Sequence, residues 1–242
     1  DVLGVNPAAV FVKRRERQRG SAQYERRSSE SVIATVAENG LLFEVNLSDY
    51  LDTGIFLDHR DTRQWLREQA NGARFLNLFA YTGTATAYAA AGGARATTTV
   101  DLSSTYLDWA RRNLERNGLA RGDHEFVRAD VIAWLVDAEK RGERYDLVFC
   151  DPPTFSNSKR MDATWDVQRD HVALVIAAAR LLADGGTLVF SCNRRKFALD
   201  VAALAEAGLE ARDITKRTIP KDFESTPWVH TCWTIRRAGE RS

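Results

Sequence analysis

Five consecutive residues, Asp151-Pro152-Pro153-Thr154-Phe155, follow an apolar run, Tyr145–Cys150, with the length of a buried strand. A carboxylate, two rigid prolines and an aromatic make a compact clamp for a flat ring that carries hydrogen-bond donors. Proline fixes φ and removes a backbone N–H, so the loop is rich in carbonyl acceptors. Asp151 and the Pro152 carbonyl can receive the amino or imino hydrogens of a base, with Phe155 stacked on its face. An aromatic platform with edge hydrogen bonds is how an unstacked RNA base is usually held. The plainer alternative is a Pro-rich turn with a core phenylalanine.

A second set of residues lies upstream. The strand Arg74–Phe79 runs through Ala80-Tyr81-Thr82-Gly83 into a helix of small residues. A glycine at that bend lets backbone approach a ligand, and the helix start offers free N–H groups. No GxGxxG is present, which disfavours a dinucleotide pyrophosphate. Asp101 ends the next strand, where a carboxylate can accept from both ribose hydroxyls. Asp130 ends the third, where it can accept from an adenine amino group. An aspartate at a strand-to-helix junction is also an ordinary N-cap, and for either residue alone both readings stand. Three successive strand ends converge on one sheet edge, where an open α/β fold takes its ligand. A nucleoside cofactor beside a held base implies group transfer between them.

These residues need an alternating strand–helix frame. From about residue 73 the chain reads as strands Arg74–Phe79, Ala96–Val100, His124–Val127, Tyr145–Cys150, Thr187–Ser191, Leu209–Thr215 and Thr231–Arg236. Between them come helices over Gly83–Ala91, Ser103–Asn117, Val131–Lys140, Val167–Leu182 and Arg195–Ala207. Asn117-Gly118 and Asp184-Gly185-Gly186 are helix stops. Several strands are continuous apolar runs, as in a sheet covered on both faces. The last two lack an intervening helix and are expected to pair antiparallel at the sheet edge. The expected fold is an α/β, Rossmann-like, mostly parallel seven-stranded sheet.

Residues 1–50 read as a small β-rich appendage, with 51–242 as the main domain. Val10–Arg14, Val32–Ala37 and Leu41–Leu47 are short strand candidates, and Asn39-Gly40 is a hairpin turn signal. Asp58 is placed as the N-cap of a helix over Asp58–Ala70. The appendage carries Lys13, Arg14, Arg15, Arg17, Arg19, Arg26 and Arg27 against only Glu16 and Glu25. Local positive charge of this kind attracts phosphate backbones, and it also suits a solvated surface. Lys159 and Arg160 extend the basic set beyond the clamp.

With 242 residues, 44% apolar content and a net charge of +1, the chain supports a full core, and its overall field says little about partners. Three widely spaced cysteines, Cys150, Cys192 and Cys232, point to a reducing cytoplasm rather than a disulfide framework. The four histidines show no ligand spacing, and no metal is expected. No membrane span or signal peptide is read from the sequence.

The motifs NLFAYTG (Asn77–Gly83), Val100-Asp101, Ala129-Asp130 and DPPTF resemble, in order, those of class I S-adenosylmethionine-dependent methyltransferases. Two longer runs, LSDYLDTGIFLDHRDTR (Leu47–Arg63) and DPPTFSNSKRMDATWDVQRDH (Asp151–His171), resemble the RlmK family, 23S ribosomal RNA guanine-N7 methyltransferases of bacteria. The resemblance spans essentially the whole chain. It implies S-adenosylmethionine over the strand ends, with Phe79, Thr82 and Gly83 flanking its methionine part. Asp101 and Leu102 would hold the ribose and Asp130 the adenine. Asp58, Asn77, Ser103 and Asp151 complete the implied cofactor set. The family's DHR element maps to Asp58, His59 and Arg60, and Arg60 would pair with the cofactor carboxylate or brace the Asp151 loop. The catalytic set is Asp151, Pro152 and Phe155. The substrate implied is 23S ribosomal RNA or a large-subunit precursor. In that family this part is often fused behind a guanine-N2 methyltransferase, which fits a chain opening at Asp1.

Cys192 departs from the family pattern, in which asparagine is usual. A related group of RNA cytosine-C5 methyltransferases carries a cysteine there as nucleophile. The cytosine reading, a non-catalytic RNA-binding module, and a methyltransferase for small molecules or DNA are the alternatives.

Overall fold

The computed structural model describes residues 4, 6, 10–13, 31–120, 123–156, 164–226 and 228–239. Asn39 and Gly40, with φ of 49° and 80°, turn β1 (Ile33–Glu38) into β2 (Leu41–Asn46) as an antiparallel hairpin. Residues 10–13, the described part of the expected first strand, have no regular structure. The rest of the basic run, from Arg14 to Arg27, lies outside the described residues.

The main sheet is built from βα units. They are β3 (Arg74–Leu78), α2 (Thr84–Ala91), β4 (Ala96–Asp101), α3 (Ser104–Arg116), β5 (His124–Arg128), α4 (Val131–Lys140) and β6 (Tyr145–Cys150), preceded by α1 (Arg60–Gln69). After β6 come two short paired strands, β7 (Phe155–Ser156) and β8 (Trp165–Asp166), then α5 (Val167–Ala179), β9 (Leu182–Cys192), α6 (Val201–Glu206), β10 (Leu209–Asp213), α7 (Thr215–Thr218) and β11 (Thr231–Arg237). Seven strands join in the order β10-β11-β9-β6-β3-β4-β5. The five from β9 to β5 are parallel, and β11 runs antiparallel to both neighbours. The expected architecture is therefore present, and the strand order reverses at β3, which lies between β4 and β6.

Four local expectations are corrected. Asp58 does not cap α1: a 3-10 turn over Leu57–His59 leads into the helix, and the Asp58 carboxylate faces His230 instead. α5 ends at Ala179, and Asp184-Gly185-Gly186 forms an irregularity in β9, where the register shifts between the Tyr145–Leu182 and Leu147–Thr187 pairs. The helix expected over 195–207 is only α6, because Lys196 adopts a left-handed φ of 63° and Asp200 caps the chain later, accepting from Ala203 N–H. Finally, α7 and a 3-10 turn over Lys221–Phe223 occupy the connection between β10 and β11.

The hairpin is welded to the main body. Leu41, Phe43 and Val45 pack with Ala87 and Tyr88 of α2 and Leu114 of α3. Beneath them the Arg63 guanidinium from α1 donates to both Glu38 carboxylate oxygens at 2.7 and 2.9 Å, and Tyr88 OH donates to the same carboxylate at 2.8 Å. Burying each large apolar side chain contributes roughly 1.5–3 kcal/mol. The buried ion pair adds specificity of seating more than stability.

Candidate active site

The strand register decides what meets at the carboxyl edge. Leu78 is in register with Cys150 on one side and Val100 on the other. Cys150 in turn pairs with Phe190, and Asp101 with Arg128. The next residues, Ser191, Asp151, Phe79, Asp101 and Arg128, therefore form one row across five strands. Strand spacing puts Asp151 and Asp101 about 10 Å apart, with Phe79 between them.

The loop after β3 is unusual backbone. Phe79, Tyr81 and Gly83 all have left-handed φ, at 54°, 51° and 68°. Two non-glycine residues in that region cost about 1–3 kcal/mol each, so neighbouring contacts must hold them. Ala80 N–H donates to Val100 O, Tyr81 N–H to Asp101 Oδ2 at 2.9 Å, and Gly83 N–H to Ala80 O. A Cβ on Gly83 would lie 2.5 Å from Ala110 Cβ, so α3 closes on this bend from behind. Thr82 is fully buried, its hydroxyl donating to Gly54 O at 2.5 Å.

Asp101 also accepts from Ser103 N–H at 2.8 Å, and burial pushes its carboxyl up to about 6 despite these bonds. Ser103 caps α3. The Leu102 carbonyl accepts from Arg128. Asp130 caps α4, accepting from Ala133 N–H at 3.0 Å. Asn77 sits under the edge, 1% exposed, its amide donating to Thr86 Oγ1.

Beyond β6, Pro152 is buried, and the Pro153 carbonyl accepts from Trp165 Nε1 at 2.7 Å. The Thr154 hydroxyl donates to Asn193 Oδ1 at 2.7 Å, tying this loop to the end of β9. The Phe155 ring is left 54% exposed beside the edge.

Comparison with known proteins decides the family. The model of the S-adenosylmethionine-dependent methyltransferase family matches residues 8–223. The chain belongs to that family. It is 54% identical over 237 residues to a ribosomal RNA large subunit methyltransferase K/L of Aeromonas hydrophila, and 54% identical to its namesake from Aeromonas salmonicida. These matches cover 98% of this chain but only 33% and 32% of the relatives, so it spans about a third of their length. Its fold is similar to that of SMU.776, solved in complex with SAH, with a TM-score of 0.71 and 28% identity over 88% of this chain and 57% of that one. The architecture is the class I methyltransferase α/β fold with a small N-terminal hairpin.

S-adenosylmethionine is thus the cofactor of the family, and the chain's own residues fit it. A buried carboxylate with a raised pKa, facing an edge of strained backbone, suits a ligand bringing vicinal hydroxyl donors. The structure gives Arg60 another partner: its guanidinium pairs with Asp222.

Sequence reasoning missed His230 and gave His59 no role of its own. Both are buried at the Asp151 side of the edge, 5% and 1% exposed. Only the DHR element hinted at His59, and nothing local marked His230. Of the basic residues, Lys13 is half-buried, its ammonium donating to Asn46 O at 2.8 Å. Burial holds that ammonium below its usual value, against the pull of Asp52 and Asp49. Arg14, Arg15, Arg17, Arg19, Lys159 and Arg160 lie outside the described residues. No helix among the described residues is long and apolar enough to cross a membrane.

Proposed function

We propose that this chain transfers a methyl group from S-adenosylmethionine to N7 of a guanine in 23S ribosomal RNA. The observation that carries the reading is the shared row of Asp151 and Asp101 at the carboxyl edge, with an exposed Phe155 beside it. The names of the Aeromonas relatives support ribosomal RNA of the large subunit as substrate.

When bound, S-adenosylmethionine supplies an electrophilic sulfonium methyl. Phe79, Thr82 and Gly83 would flank its methionine part, Asp101, Leu102 and Ser103 its ribose, and Asp130 its adenine. Asn77 holds the strand beneath. Asp151 accepts from guanine N1–H and N2–H, and Phe155 stacks on the ring. Guanine N7 is a bare lone pair, so no residue needs to remove a proton. The work of the protein is orientation, which can supply several powers of ten in rate. The basic residues of the N-terminal segment, with Lys159 and Arg160, grip RNA phosphates, so binding should fall steeply with salt. Within a longer protein the chain would work beside a guanine-N2 methyltransferase, in the cytoplasm.

The cytosine-C5 alternative loses support at Cys192. That thiol is fully buried, and burial pushes it up to about 11, so it is not a ready thiolate.

The test is incubation of the protein with unmodified ribosomal RNA and labelled cofactor, followed by nucleoside analysis. Label in N7-methylguanosine is expected. Label in 5-methylcytidine, or in no nucleoside, overturns the reading.

A further inference from the structure

Two buried histidines stand behind the base-binding loop without a part in the scheme above. His59 precedes α1, and His230 enters β11. Their rings stack at 4.4 Å with planes 11° apart. His59 Nε2 lies 3.5 Å from Asp151 Oδ2, 3.5 Å from Ser191 Oγ and 3.8 Å from Asp58 Oδ2. His59 Nδ1 is buried, with no hydrogen-bond partner among the described residues. His230 Nδ1 lies 3.0 Å from Asp58 Oδ2, and its Nε2 lies 3.2 Å from Thr218 Oγ1.

We propose that His59 is a positioning residue for methyl transfer, its Nε2–H donating to Asp151 and setting which lone pairs of that carboxylate face the base. The inference rests on Asp151 being the group that holds the base.

The surroundings assign the proton. Two carboxylate oxygens crowd Nε2, whereas Nδ1 has no partner, so the hydrogen belongs on Nε2. Asp58 is already engaged by His230, which leaves Asp151 as the acceptor that needs orienting. A contact of 3.5 Å is long, but such bonds commonly tighten once substrate is bound. Burial lowers the His59 pKa, and the His230 and Arg63 charges add to it against the pull of Asp151 and Asp58. A neutral donor is what the site needs. It orients the carboxylate without discharging it, so Asp151 keeps its full capacity to accept from the base.

A metal is the competing use of these atoms, because Asp58, His59 and His230 each place a ligand atom within 4.8 Å of the others. Stacked rings direct their in-plane lone pairs along parallel planes, and a single ion cannot lie in both. The arrangement suits hydrogen bonding and packing.

The experiment compares His59→Leu and His59→Gln in the wild-type and Asp151→Asn backgrounds. Glutamine places an amide N–H near the position of the imidazole Nε2. Cofactor affinity is measured by calorimetry, and the methylation rate in single turnover on unmodified ribosomal RNA. His59→Leu should slow the reaction about 100-fold, the scale set by small misplacements of reacting groups. His59→Gln should recover to within about tenfold of wild type. Cofactor affinity should stay within about twofold in both. In the Asp151→Asn background His59→Leu should change the rate less than about twofold, because it acts only through the carboxylate. Wild-type turnover by His59→Leu overturns the proposal, as does an equal loss in both backgrounds. If His59→Leu fails to fold, His59→Gln decides alone: a loss as deep as that of Asp151→Asn overturns it. These ratios do not depend on which base is methylated, whereas the guanine-N7 reading is judged by the wild-type product.

Discussion

Asp151 follows the last residue of β6 at the register position where Asp101 ends β4, with the single strand β3 between them. The two carboxylates stand roughly 10 Å apart by strand spacing, and in the proposed function one meets the base and the other the cofactor ribose. Register, not loop flexibility, sets that separation, so each side of the site can be tested while the other stays intact.

Asp101 gives the site a pH dependence. In the proposed role its ionised form accepts from both ribose hydroxyls in charge-assisted bonds that protonation weakens, so S-adenosylmethionine affinity should weaken as pH falls through about 6, by up to about tenfold per unit at the limit. Asp101→Asn should bind more weakly and without that slope, as read by calorimetry from pH 5 to 8. Stability runs the opposite way. The folded pKa lies above the ordinary 3.8, so this group's contribution is greatest below 3.8 and declines as pH rises to about 6. Urea unfolding should show wild type losing ground to Asp101→Asn across that window, and parallel curves would refute the shift.

Phe155→Ala should weaken RNA binding by about 1–3 kcal/mol, the usual loss of one base–aromatic stack. Because the ring is 54% exposed, the melting temperature should hold. Filter binding and thermal unfolding together check this, and unchanged RNA affinity would remove Phe155 from the platform.

Cys192→Ala should keep methyltransferase activity near wild type and form no covalent RNA adduct, because the thiol is buried and pushed up to about 11. The substitution leaves a small cavity worth about 1 kcal/mol of stability. Loss of turnover in a folded variant would revive the nucleophile.

Arg63→Leu should destabilise the protein by about 3–5 kcal/mol, since it strands the Glu38 carboxylate without its buried partner. Thermal unfolding reads the loss. A melting temperature within a degree of wild type would show that apolar packing alone seats the hairpin.

Much of this was legible along the chain. Asn39-Gly40 announced the hairpin because both residues tolerate positive φ. Asp101 and Asp130 stood out as strand-ending carboxylates, and both sit where the alternation of strands and helices placed them. What stayed hidden lies far apart in sequence. Asp58 looked like a cap because capping is local, but its stronger partner, His230, is 172 positions away. The pairing of Arg60 with Asp222, 162 positions on, was equally invisible to local reading.

Amino-acid order was enough for the strand–helix alternation, the turn types and the succession of motifs, because hydrophobic period and turn chemistry act over a few residues. It could not reveal which strand ends stand side by side, nor that His59 stacks on His230 behind Asp151. Those facts follow from the strand order of the sheet and from β11 entering between β9 and β10. Contacts between remote segments form only when the packed core brings their elements together, and no local pattern encodes them.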